Sequence, residues 1–271
     1  MSTDNGKEQF PPKKVMVIMA HPDDAEFGVS GTVAKWARMG SEIIYVLCTS
    51  GDKGSDDPKM TSAKLVRTRE AEQKAAGKIL GLKNVVFLRF KDAELLPFDM
   101  KLRHDLVAEM RRFKPNAVIC QDPTTRFGFG GRYIQHPDHI AAGEATLAAV
   151  YPSVRDRLTF PDLLVQGLKP HKVTDVFLMG SRDPDYFEDI SGTMDIKVKA
   201  LMAHKSQVSE GTGKFVRMNA ENTGKQHNMK YAESFRWLRL DRPRTQPLPQ
   251  NGQVAQAASP NGNGRTVRSG R

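Results

Sequence analysis

Six apolar residues in a row, Val-Met-Val-Ile-Met-Ala at 15–20, open the patterned part of the chain. No polar residue alternates with them, so the run reads as a strand covered on both faces, as in the middle of a parallel sheet. Comparable runs return at 42–49 (EIIYVLCT), 84–90 (NVVFLRF), 116–121 (NAVICQ) and 173–179 (VTDVFLM). Between them the apolar spacing changes to the helical period. One helix is expected from about Gly28 to Met39, stopped by Gly40, and a longer one from Ser62 to Leu80, stopped by Gly81. Asp99 can cap a helix running to Phe113, Pro137 suits the first turn of another, and Thr193 can cap a segment reaching Gln207. The decapeptide 231–240 (YAESFRWLRL) reads as a last helical piece.

Strands alternating with helices imply an α/β fold: a Rossmann-like, mostly parallel sheet sandwiched between helices, in a single domain over 13–241. In such sheets ligands collect at the carboxyl ends of the strands, where the strand order reverses. The strands at 15–20 and 116–121 are expected to flank that point, and the segments that follow each of them carry histidine.

Composition adds mainly to the ends. Residues 1–12 and 242–271 are poor in large apolar groups and are expected to be disordered tails. The net charge of +10 suggests a polyanion partner until it is divided along the chain. Residues 242–271 hold five arginines and no acid, which leaves only a modest excess on the folded part. No basic face with interleaved aromatics is present, so no specific nucleic-acid partner is expected. No stretch approaches the ~18 apolar residues of a membrane span, and the N-terminus lacks an apolar leader core. The two cysteines, Cys48 and Cys120, lie in strand-like runs and read as buried thiols of a reducing compartment. A cytoplasmic protein with no membrane partner follows as the expectation; self-association is left open.

The chemistry-bearing segments are His21-Pro-Asp-Asp-Ala-Glu-Phe-Gly28 and His136-Pro-Asp-His139, which hold three of the seven histidines. Two adjacent carboxylates at the end of a buried strand are costly unless a cation or strong hydrogen bonds compensate them. Imidazoles and a carboxylate meeting at one sheet edge form a reasonable shell for a catalytic zinc.

With these motifs, together with TSGDKG (49–54), REAEQKAAGKILG (69–81) and KALMAHKSQ (199–207), the chain resembles the PIG-L/LmbE-like family of zinc-dependent N-deacetylases. The resemblance spans about residues 14–208 and implies a deacetylase acting on an N-acetylglucosaminyl conjugate, a small-molecule substrate. It implies Zn²⁺ held by His21, Asp24 and His139, with Asp23 as general base. It also implies that a protonated His136 stabilises the oxyanion, that Asp138 orients or charges an imidazole, and that Arg69 contacts substrate or a carboxylate. Glu26 matches the family without a clear role there, and His204, which also matches it, is expected to pack or to support a residue of the site. The loop 122–135 is a candidate lid carrying Phe127, Phe129 and Tyr133. Two alternatives stand beside this reading: cleavage of another amide, such as a thiol conjugate, by the same residues, and a polyanion-binding module built on the arginine tail.

Overall fold

A computed structural model describes residues 10–128 and 131–240 of the chain. Of the expected tails, residues 1–9 and the whole of 242–271 lie outside the described residues, as does Phe129. Seven strands form one sheet in the order β3-β2-β1-β4-β7-β9-β8. They are β1 (Lys14–Met19), β2 (Glu42–Thr49), β3 (Asn84–Phe90), β4 (Ala117–Gln121), β7 (Asp175–Met179), β8 (Tyr186–Asp189) and β9 (Ala232–Arg239). The first five pair in parallel, and β9 runs antiparallel to both β7 and β8. A two-stranded ribbon, β5 (Phe127–Gly128) with β6 (Tyr133–Ile134), stands apart from the sheet.

The strand order reverses between β1 and β4, as expected, because the chain crosses back over β1 after β3 to start the second half of the sheet. Residues 15–20 are fully buried, and their alternate side chains feed two cores, one on each face. Each such Val, Ile or Met removed from water contributes roughly 1.5–3 kcal/mol.

Helices cover both faces: α2 (Ser30–Arg38), α3 (Ser62–Leu80), α4 (Met100–Phe113), α5 (Pro137–Ala148), α7 (Met194–Leu201) and α8 (Glu210–Lys225), with short turns at α1 (Asp24–Gly28) and α6 (Pro161–Val165). Their ends follow local chemistry. The Thr61 hydroxyl accepts from the Lys64 amide at the start of α3, which ends at Gly81 in the left-handed region. The Asp99 carboxylate accepts from the Lys101 and Leu102 amides at the start of α4.

Several elements differ from the sequence pattern. Helical structure starts at Asp24 rather than Gly28, and it breaks at Val29, where φ is −135°. The helix after Thr193 stops at Leu201, short of Gln207. Residues 231–240 are no helix: residues 232–239 form β9, because the open edge of β7 offers a hydrogen-bonding partner. There Phe235 and Trp237 share one face and pack with Phe177 and Tyr186. Long-range pairing of this kind overrides a local period that reads equally well as helix. The strand β8 and the helix α8 carry no apolar pattern strong enough to be read in advance.

One buried ion pair ties this corner to the sheet edge. Lys197 on α7 and Glu233 on β9 are 1 % and 5 % exposed, and their Nζ and Oε1 atoms lie 2.7 Å apart. Glu233 also accepts from the Gly31 and Thr32 amides at the start of α2, at 3.0 and 2.7 Å, and the Lys197 ammonium donates to the Phe27 carbonyl at 2.9 Å. Removing one partner of such a pair leaves an uncompensated buried charge. Lys197→Met is therefore expected to lose about 3–5 kcal/mol in urea unfolding, with most of it regained in the double variant with Glu233→Gln. A single variant of unchanged stability would show that the pair is not what holds this corner.

Candidate active site

The site begins where β1 ends. The Ala20 carbonyl accepts from the Thr49 amide and hydroxyl at 2.8 and 2.9 Å, and its amide donates to Gln121 Oε1 at 3.2 Å. These bonds to the ends of β2 and β4 lock the backbone just before His21. The turn that follows places Asp23 at φ 84°, in the left-handed region. A non-glycine residue there costs on the order of 1–3 kcal/mol unless its surroundings over-determine it.

The second histidine motif enters from α5. His136 is its N-terminal cap, with Nδ1 accepting from the Asp138 amide at 3.2 Å. A nitrogen that accepts is unprotonated, so the ring is neutral and carries its hydrogen on Nε2. That differs from the imidazolium expected from the resemblance. Burial, followed by the neighbouring His21 charge, lowers the His136 pKa and works in the same direction.

The rings of His21, His136 and His139 lie 4.7–5.4 Å apart between centroids. The Asp24 carboxylate reaches between the two motifs, 3.1 Å from His139 Nε2 and 3.5 Å from His21 Nδ1. It is further held by the His21 amide at 2.9 Å and the Gln121 side-chain amide at 2.8 Å. Burial by itself would raise Asp24, but the His139 and His21 imidazoles outweigh it and hold the carboxyl well below the usual range.

The other edge of His21 meets two more carboxylates. Its Nε2 lies 3.1 Å from Asp138 and 3.1 Å from Asp92. Asp138 is fully buried and also accepts from the Ala93 and Leu95 amides, at 2.7 and 3.2 Å. It therefore orients His21 and has no face open to a substrate. Burial opposes charge on His21, yet Asp138, Asp24 and Asp92 together push it up to about 12. So strong a demand for positive charge is what a cation among these groups would satisfy, and it would leave the imidazole neutral and able to ligate. Ligating atoms of His21, His136 and His139 lie within 4.8 Å of one another, as do those of His21, Asp92 and Asp138. Either group has the donor chemistry of a divalent-metal site; the expected set of His21, Asp24 and His139 is not one of the two, although the Asp24 carboxylate lies 3.5 and 3.1 Å from its two histidines.

Asp23 is the adjacent carboxylate and faces a different set of groups. Burial and the Asp24 charge push it up to about 7, with the Arg69 charge pulling back. Arg69 Nη2 donates to the Pro22 carbonyl at 2.9 Å and lies 3.5 Å from Asp23 Oδ2. Arg69 is only 5 % exposed and braces the turn at Asp23 from below, where it meets a carboxylate, one of the two contacts expected of it. Its guanidinium packs over Gly51, where an added Cβ would meet Nη1 at 2.4 Å.

Asp92, Gln121 and Gln73 were not singled out from the sequence. Asp92 follows β3 directly and Gln121 closes β4, so a polar residue at the carboxyl end of a sheet strand is the signal that identifies both. Gln73 sits one helical turn beyond Arg69 on α3, and only that spacing points to it. Of the other histidines, His104, His171 and His227 have packing partners away from the site. His104 bonds Asp162 at 2.7 Å, His171 bonds the Pro115 carbonyl at 2.7 Å, and His227 stacks on Phe187. At the same edge of the sheet, a cleft of about 560 Å³ opens between the loops after β4 and β7, lined by Thr125, Phe127 and Arg182 among others.

Comparison with known proteins agrees with this geometry. The family model described as "PIG-L: GlcNAc-PI de-N-acetylase" matches residues 16–150. Diacetylchitobiose deacetylase of Thermococcus kodakarensis is 34% identical over 230 residues, covering 83% of each chain. A probable N-acetyl-alpha-D-glucosaminyl L-malate deacetylase 2 of Bacillus anthracis is 30% identical over 198 residues, covering 72% of this chain and 81% of that one. Among solved structures, the N,N'-diacetylchitobiose deacetylase of Pyrococcus horikoshii superposes with a TM-score of 0.77 at 31% identity, over 84% of this chain and 85% of that one.

The packing of Arg69 against Gly51 gives a direct check on the brace. Gly51 has φ 62°, so Gly51→Ala both strains the backbone and collides with the guanidinium. A loss of about 1–3 kcal/mol in urea unfolding is expected; a variant as stable as the parent would mean that Arg69 sits elsewhere.

Proposed function

Because this chain belongs to the PIG-L family of de-N-acetylases, we propose that it is a metal-dependent hydrolase that removes the acetyl group from an N-acetylglucosamine-type amino-sugar conjugate. The observation that carries the reading is the convergence of His21 and His139, from loops more than a hundred residues apart, on the Asp24 carboxylate, with Asp23 next to it in the chain. His21, Asp24 and His139 would hold the ion, and two imidazoles with one carboxylate suit zinc. Such an ion, when bound, lowers the pKa of a water toward ~7 and polarises a carbonyl.

The chain's own groups supply the rest. Asp23 takes the proton from the attacking water and returns it to the departing amine. The amide C–N bond breaks, acetate leaves, and the sugar keeps a protonated amine. His136 has its Nδ1 occupied by the helix cap, so its Nε2–H is the donor available to the oxygen that becomes negative in the tetrahedral state. Asp138 and Asp92 keep His21 in one orientation, as outer-shell carboxylates do for metal-binding imidazoles. Arg69 fixes the turn and offsets the paired charges of Asp23 and Asp24.

A cytoplasmic location is part of the same reading and is supported by the two buried free thiols. Among the described residues no helix is long and apolar enough to cross a membrane.

The test is amine release from a panel of N-acetylglucosaminides and other amide conjugates, including thiol conjugates, run beside metal quantification. Zinc at one ion per chain and release from the acetylated amino sugars are expected. Asp23→Asn should keep the metal and lose about 10²–10⁴ in turnover, whereas His139→Ala should lose the metal itself. Wild-type turnover in Asp23→Asn would remove that residue from the reaction, and full metal content in His139→Ala would remove His139 from the ligand set.

A further inference from the structure

Three residues that the mechanism does not use stand in line behind Asp23. Gln73 Oε1 accepts the Asp23 backbone N–H at 3.0 Å, and the Gln73 amide nitrogen donates to Glu26 Oε1 at 3.0 Å. The second Glu26 oxygen faces His204 Nε2 at 3.3 Å, within ion-pair reach but without the alignment of a hydrogen bond. Gln73, Glu26 and His204 are each 0 % exposed. They come from α3, α1 and the turn after α7, and that turn is itself tied to α3 by Glu72, which accepts from the Ser206 amide and hydroxyl at 2.8 and 2.6 Å.

An amide, a carboxylate and an imidazole buried with no route to water are expensive, and apolar side chains of the same volume would serve stability as well or better. What distinguishes this line is where it ends, at the backbone of a residue held with φ 84°. Without an acceptor for that N–H the turn has little reason to stay in the left-handed region, and the Asp23 carboxylate would turn away with it. We propose that Gln73, Glu26 and His204 are positioning residues that hold the Asp23 backbone and so fix where its carboxylate sits, beside Arg69 and next to Asp24. This rests on the assignment of Asp23 as the base.

The test uses zinc-loaded full-length protein with Gln73→Met, His204→Phe and the double variant. Each single variant should lose about 10–100-fold in kcat with KM and metal content unchanged. Because both act through one chain on one residue, the double variant should fall no more than about threefold below the worse single. Glu26→Gln keeps the acceptor for Gln73 and should retain most of kcat. Amide hydrogen exchange of the peptide 21–27 should be faster in both single variants than in the parent. Should the apolar variants fail to fold, Gln73→Asn, too short to span the gap, carries the same expectations. Wild-type kcat in the singles, losses that multiply in the double, or losses that follow metal content or melting temperature would overturn the proposal. If the parent releases amine from no conjugate, the deacetylase reading fails by itself; the exchange measurement still decides the positioning chain, and unchanged exchange at 21–27 would overturn it.

Discussion

Three carboxylates, Asp24, Asp92 and Asp138, press on one buried imidazole, His21, and the surrounding structure is arranged to make that tolerable. Burial of so much negative charge is offset piece by piece. The Gln121 amide and the His21 backbone N–H serve Asp24, the Ala93 and Leu95 amides serve Asp138, and Arg69 serves Asp23. Each of these donors sits at the carboxyl end of a strand or on a helix facing that end. The sheet edge is thus a device for bringing fixed dipoles to a place where water is excluded. What the dipoles do not neutralise leaves a demand for a cation, and two imidazoles are in place to share one.

The two adjacent aspartates of the first motif end in different roles because the backbone separates them. Asp24 enters the first turn of α1 and points to the imidazoles, whereas Asp23, held at positive φ, points to Arg69. The result is one carboxyl held well below its usual pKa and its neighbour raised, the division that the proposed function assigns to a ligand and a proton acceptor. His136 shows the same economy. The contact that caps α5 also fixes which ring nitrogen keeps its hydrogen.

Membership of the PIG-L family places the chain beside a diacetylchitobiose deacetylase and a probable N-acetyl-alpha-D-glucosaminyl L-malate deacetylase. The loops after β4 and β7 form a cleft at the same end of the sheet.

Much of this was legible in the chain itself. Continuous apolar runs identified the five parallel strands, of which β1, β2 and β4 are buried on both faces and β3, at the sheet edge, is only half-buried, and the histidine motifs following β1 and β4 located the site at the reversal of strand order. Terminal caps such as Thr61, Asp99 and Gly81 act within a few residues, so they too could be read locally. Other features depended on partners far away in sequence. Residues 232–239 became a strand only because β7 had an open edge, and Asp92 became part of the site only because the loop after β3 reaches past β2 to His21. The inward placement of Arg69 and the line from His204 to Asp23 were likewise settled by packing between α1, α3 and α7. Short-range patterns encode what a segment can form and which chemistry it carries; which buried charges face one another is a property of the assembled core, where distance and desolvation, not spacing along the chain, set the energies.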